Sequence, residues 1–277
     1  MKHNFKLTIP LAIVITLLAV IYQRTTGPTY PKKITVGVEE SNQVVVKFPR
    51  SQGGTEGAPI EIPKIEKEMN GTITFKRYPT DDPWTTLALK DEGNRLTAVL
   101  PNQPPAGKLT YYLNLSIKGK EQKIASQEEQ IFIRYKGDVP TYILAPHIFF
   151  MFLSMLFSAW AFFEALFNTE SFVKIGRVTL GCLAFGGLVL GPIVQKYAFG
   201  VYWAGFPYDY DLTDNKLLIG VIAWVIGVLF TLKEKRRWPV FFAAVVLIGV
   251  YSIPHSMRGS EYNYQKGQVI TTDKALK

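Results

Sequence analysis

Cysteine and histidine are nearly absent from this sequence, which has one cysteine, Cys182, and three histidines in 277 residues. A single cysteine excludes an intramolecular disulfide and any cysteine-based zinc spacing. A soluble domain of this chain outside the cytoplasm would have to stand on its apolar core alone. The common catalytic motifs are missing too: there is no Walker loop, GxGxxG, HExxH, GxSxG or CxxCH. Ser256 or Ser260 can be paired on paper with His147, but nothing around either serine marks it as a nucleophile. Charge is the third scarcity, because five long stretches carry almost none.

Those stretches set the expected architecture. They cover residues 7–22, 142–167, 178–199, 217–232 and 238–253. A bilayer core of about 30 Å takes roughly 17–25 helical residues, so each run reads as a transmembrane helix, the last two near the lower limit. The first follows a short basic start, as a signal peptide would, but no small-x-small cleavage pattern follows it. It therefore reads as an uncleaved signal anchor. The expected domains are the anchor helix at 1–29, a β-sandwich at 30–140, a four-helix transmembrane domain at 141–254 and a C-terminal tail at 255–277.

Between the first two runs the chain turns polar and β-rich. Seven short segments are enriched in Val, Ile, Thr, Tyr and Phe: 34–38, 44–48, 72–78, 84–89, 96–100, 109–117 and 131–135. Turn signals separate them, among them Gly53-Gly54, Asp82-Pro83 and Glu92-Gly93-Asn94. This spacing suggests a two-sheet sandwich. Leu100-Pro101, then Pro105-Ala106-Gly107 leading into Leu109-Thr110-Tyr111-Tyr112, resembles the late hairpin of fibronectin-type-III and immunoglobulin-like domains. The expected fold class is thus a five-helix membrane protein with an inserted all-β sandwich of immunoglobulin/fibronectin-III type. Residues 51–69, rich in Gly, Pro, Glu and Lys, read as a long exposed loop.

The formal net charge is +9, and much of the excess flanks the apolar runs. Lys2, Lys6, Lys174, Arg177, Lys233, Lys235, Arg236 and Arg237 fall on one side of a five-span chain. The positive-inside rule makes that side cytoplasmic. The β domain and C-terminus are then outside, and the expected location is a bacterial inner (cytoplasmic) membrane with the N-terminus inside. The β segment has nearly balanced charge, which disfavours nucleic acid as a partner. Spans without ionisable groups at mid-depth disfavour a pump or secondary transporter.

This topology collects the polar oddities on the outer face. The candidate site there comprises His147, Asp209, Asp211, Asp214, Lys216, His255, Arg258 and Glu261. Each has a plainer role open to it. Thr213 or Asp214 suits the cap of the helix that follows. Tyr202, Trp203, Phe206, Tyr208 and Tyr210 suit an aromatic belt. Gly187-x-x-x-Gly191 suits close helix packing. Glu164 reads as reaching back to the inner interface. His147, Ser154 and Ser158 share one helical face and form a polar stripe. For the two outer histidines the alternatives are a hydrogen-bonded side chain, an axial pair on a haem, a divalent metal completed by an aspartate, or proton and anion handling with Arg258 and Lys216. The expected function is a non-catalytic accessory or assembly protein that lives in the bilayer, binds a membrane or periplasmic protein and carries no cofactor. The alternative is a haem- or metal-binding redox membrane protein using His147 and His255.

Overall fold

In a computed structural model, which describes residues 5–254 and 259–271, each apolar run is helical. α1 spans Phe5–Thr26, α2 Thr141–Leu166, α5 Leu212–Lys233 and α6 Arg237–Ser252. The remaining run is one rod in three parts: α3 (Ser171–Leu183), a π-helical turn (Ala184–Leu190) and α4 (Gly191–Phe199). Four of these five rods are long and apolar enough to cross a membrane. α6, with 16 residues, is the shorter one, at about 24 Å.

The widened turn has a local cause. Pro192 lacks an N–H, and its ring collides with the carbonyl one turn back in a regular α-helix. The ladder just before it shifts register, so that the Gly191 N–H reaches the Gly186 carbonyl. Gly187 carries no side chain where Leu217 of α5 packs against it. Below, α2, α3, α5 and α6 close around the fully buried Trp224, packed with Ala161, Phe172, Ile175, Val240, Ala244 and Leu247.

Glu164 departs from the expectation. Instead of reaching out to an interface it is 0% exposed. Its carboxyl accepts from Thr8 Oγ1 of α1 at 2.7 Å, from Trp160 Nε1 at 2.9 Å and from the Thr169 hydroxyl. The Thr169 N–H also bonds the Glu164 carbonyl at 2.9 Å, closing the turn after α2. A carboxyl buried in an apolar bundle is tolerated only when donors surround it, and these come from two helices and a turn. At the other end Gln23 Nε2 of α1 donates to the Tyr251 carbonyl of α6 at 3.0 Å.

The β unit comprises Thr29–Asp138 together with Ser260–Lys277, and the helical unit is the rest. The chain therefore passes between the two units three times. All seven expected strand segments carry strands. They are β1 (Lys32–Val36), β2 (Val44–Phe48), β5 (Met69–Tyr78), β6 (Thr85–Ala88), β8 (Arg95–Leu100), β9 (Lys108–Ile117) and β11 (Ile131–Lys136). Residues 51–69 are not a loop. They hold β3 (Ser51–Gly53) and β4 (Ala58–Pro63), and in β4 Ala58, Ile60 and Ile62 are buried on alternate positions. The intervening Pro59, Glu61 and Pro63 point outward, which hid a core strand behind loop-like composition. β7 (Lys90–Asp91), β10 (Lys120–Ile124), β12 (Ser260–Asn263) and β13 (Gln268–Thr271) complete the set.

One sheet runs β3-β11-β9-β5-β6, with β10 paired to the far half of β9; a second runs β4-β8-β7. β1–β2 and β12–β13 are separate two-stranded pairs. β9 and β10 meet at a two-residue turn in which Lys118 and Gly119 both have positive φ, 51° and 75°. That is the tight hairpin geometry glycine favours. The two larger sheets share one apolar core, to which Ile60, Leu96, Ile73, Leu113 and Ile133 contribute.

Replacing Glu164 by Ala should lower the stability of the purified protein by about 2 kcal/mol or more, since several buried donors lose their acceptor. Glu164→Gln, which keeps an acceptor oxygen, should cost clearly less. Equal melting temperatures for wild type and Glu164→Ala would contradict this role.

Candidate functional site

Within each unit the expected outer-face residues make bonds of different kinds. His255 and Arg258 lie outside the described residues. Asp211, Asp214 and Lys216 gather at the start of α5, all about 5% exposed. Asp211, rather than Thr213 or Asp214, is the N-cap: its Oδ1 accepts from Thr213 N at 2.8 Å and from Asp214 N at 3.4 Å. Asp214 turns back instead. Its Oδ2 accepts from Ala204 N at 2.6 Å and from Gln195 Nε2 of α4 at 3.0 Å. Asn215 Oδ1 takes the Phe206 N–H at 2.7 Å, and the Asp211 N–H donates to the Ala204 carbonyl at 2.8 Å. The first turn of α5 thereby holds the loop that precedes it. Lys216 Nζ donates to the Ile253 carbonyl at the end of α6, at 2.6 Å. Asp209, half-buried, folds onto its own loop, with Oδ1 accepting from Tyr210 N at 2.9 Å. Around it Tyr202, Phe206, Tyr208 and Tyr210 are exposed.

His147 answers the π-helical turn. Its Nδ1 lies 2.8 Å from the Gly186 carbonyl oxygen. A carbonyl only accepts, so Nδ1 carries the proton and Nε2 keeps its lone pair. On the same helical face Ser154 Oγ donates to Met151 O of its own helix at 2.8 Å and lies 3.5 Å from Tyr251 Oη, and Ser158 Oγ has no partner among the described residues. Among those residues no three His, Cys, Asp or Glu side chains are grouped to hold a metal ion.

Glu261 belongs to the β unit. It is 4% exposed and forms an ion pair with Lys108 of β9. The whole β12–β13 hairpin docks there. Arg134 Nη2 of β11 donates to the Ser260 carbonyl at 2.5 Å, and Tyr262 N donates to the Ala106 carbonyl at 3.1 Å. Tyr264 Oη accepts the Lys108 N–H at 3.1 Å and sits 3.0 Å from Gln103 Oε1 and from the Lys108 carbonyl. The Arg77 guanidinium lies over its ring, 4.9 Å from the centroid. Burial pushes the Tyr264 phenol up to about 12, against the opposing pull of the Lys108 bond and of Arg77.

Beside this hairpin the β unit opens a cleft of about 640 Å³. The end of β5 and the turn after it, Lys76 through Asp82, form one wall, and Glu261 through Gln265 form the other. Arg77 Nε meets Asp82 Oδ2 at 2.5 Å, and this pairing holds the Asp82 carboxyl below the usual carboxylate range. Of the cleft residues the sequence reading singled out Glu261 alone, and as part of the outer-face site with His147 and the aspartates. The available signal was the strand-like alternation Ser260-Glu-Tyr-Asn-Tyr264 followed by a turn ending in Gly267, whose φ is 65°.

No family model matches this chain, and neither curated proteins nor solved structures contain a significant match. The functional reading therefore rests on the residues themselves.

Tyr264 supplies a pH test. Its phenol is raised in the folded state, so the docking it supports is whole below pH about 10 and is lost as pH rises towards about 12. An alkaline titration followed by tyrosinate absorbance should show a late-ionising phenol that Tyr264→Phe lacks. Identical high-pH limbs in the two proteins would contradict the docking.

Proposed function

We propose that this chain is a multi-pass protein of the bacterial inner membrane, N-terminus inside, that presents an immunoglobulin/fibronectin-III-like sandwich on the outer side as a non-catalytic module for binding a protein partner. The strand order supports the sandwich reading. If β4, β5, β6, β7, β8, β9 and β11 are taken as B, C, C′, D, E, F and G, one sheet reads B-E-D and the other C′-C-F-G. β3 then joins G in parallel at the sheet edge. The charge distribution supports the orientation through the positive-inside rule.

The observation that carries the functional reading is the return of the chain as the β12–β13 hairpin. A module joined to a helical unit by three chain crossings is restricted to the membrane surface and is built for presentation. The polar groups of the helical unit support the non-catalytic part, since Asp211, Asp214, Lys216, His147 and Glu164 are engaged in the fold's own bonds. Exposed apolar side chains of the β unit, among them Val45, Leu87 and Val99, offer contact area. Cross-linking in intact membranes should trap the chain with one defined second polypeptide, and Leu87→Lys or Val99→Lys should weaken the cross-link without lowering the melting temperature. A purified chain that turns over a substrate unaided would overturn the reading.

The His147 bond favours one second reading. With Nδ1 committed to Gly186, the bare Nε2 is the form in which imidazole binds haem iron or a divalent metal. His255 would be the other ligand. Protein purified from haem-replete cells should then show a visible band that is lost in both His147→Ala and His255→Ala. A colourless, metal-free preparation would remove this reading.

A further inference from the structure

We propose that the cleft between the β5–β6 turn and the β12–β13 hairpin binds a neutral saccharide. The inference is independent of the protein-partner reading, because it concerns different residues and a different ligand chemistry. Its volume, about 640 Å³, lies within the roughly 300–1,000 Å³ of small-ligand sites. All its lining residues belong to the β unit.

The charge balance selects the class of ligand. Lys76 and Arg77 line the cleft with Asp81, Asp82 and Glu261, and Lys108, outside the lining, pairs with Glu261, so that three cations stand near three acids. Two of the three possible pairs are made, Arg77 with Asp82 and Lys108 with Glu261. Lys76 Nζ donates to the Thr80 carbonyl at 3.2 Å and lies over the Trp84 ring at 5.2 Å from its centroid. An ionic ligand would have to compete with the ion pairs already formed. A neutral ligand keeps them intact.

The uncommitted groups suit hydroxyls. Gln265 offers an exposed amide, which both donates and accepts. The hydroxyls of Tyr78 and Tyr262 make no hydrogen bond among the described residues, and Asn263 keeps its Nδ2 while its Oδ1 takes the Gln265 and Lys266 N–H groups. The Tyr78 and Tyr262 rings stand edge-on to Phe132 and Tyr264, at 4.7 and 5.3 Å between centroids. A ring held by its neighbour is a platform ordered before the ligand arrives, so little entropy is lost on binding. Mixed donors and acceptors beside rigid aromatic faces match a sugar, whose rim is hydroxylated and whose faces are C–H.

The test uses the full chain in phosphatidylcholine nanodiscs, since maltoside detergents would compete for a sugar site. Maltohexaose, cellohexaose and chitohexaose are titrated by calorimetry, with an anionic galacturonate hexamer and an uncharged hexapeptide as comparisons. At least one neutral hexasaccharide should bind saturably, and Tyr262→Ala and Gln265→Ala should each weaken it about tenfold or more. Gln265 is exposed and its side chain makes no hydrogen bond among the described residues, so its variant reports on the site even if Tyr262→Ala disturbs the hairpin. The proposal is overturned if no neutral hexasaccharide saturates, if only the anionic sugar or the peptide binds, or if Gln265→Ala binds as tightly as wild type.

Discussion

A polar group inside an apolar helical bundle is costly unless it finds a partner inside that bundle, and most of those described here do, Ser158 Oγ and Trp224 Nε1 being left without one among the described residues. The helical unit is organised by this constraint. Pro192 removes one ladder bond, the helix widens, and His147 comes to the Gly186 carbonyl in the widened turn. Glu164 draws donors from α1, α2 and the following turn. Asp214 ties α5 to α4 and to the loop between them, and Lys216 ties α5 to the end of α6. Apolar packing around Trp224 and at Gly187 fixes how these helices face one another, and the few polar bonds add directional ties between them.

The β unit meets a different constraint. A domain of about 110 residues with no disulfide depends on its core, and here two sheets supply it. The return of the chain adds to this on the outside of the larger sheet. Lys108 of β9 and Arg134 of β11 would otherwise be cations on a sheet face; they receive Glu261 and the Ser260 carbonyl from the returning hairpin. Because the hairpin follows α6, the β unit is complete only when residues at both ends of the helical sequence have been used.

The sequence was most informative where a signal is periodic and local. Apolar runs marked the helices, and β-branched alternation marked seven strands, because both patterns are set by the chain's own geometry. β4 was missed because Pro59, Gly57 and Glu61 make it read as a loop, while the alternate burial of Ala58, Ile60 and Ile62 becomes visible only once β8 lies alongside. The helix ends were harder again. Asp211 and Asp214 are equally good caps by type, and which one caps is decided by whether Ala204 and Gln195 need the other. Glu164 is the extreme case: its partners Thr8 and Trp160 are ordinary residues in sequence, and only the packing of α1 on α2 makes one of them a donor across 156 positions.

This contrast in how polar groups are used bears on where binding can occur. A carboxylate that accepts from two or three donors of its own fold has little left for a ligand, and releasing it would cost the fold those bonds. In the helical unit the described acids that are deeply buried, Glu164, Asp211 and Asp214, are all in that condition. In the β unit the ion pairs settle the charges, while Gln265, Tyr78 and Tyr262 keep polar atoms unspent along an open cleft. Affinity comes from groups whose alternative partner is water, because exchanging water for a ligand takes nothing from the fold. Among the described residues, the cleft at the hairpin keeps such groups, whereas Asp211, Asp214 and the Nδ1 of His147 are bonded within the fold.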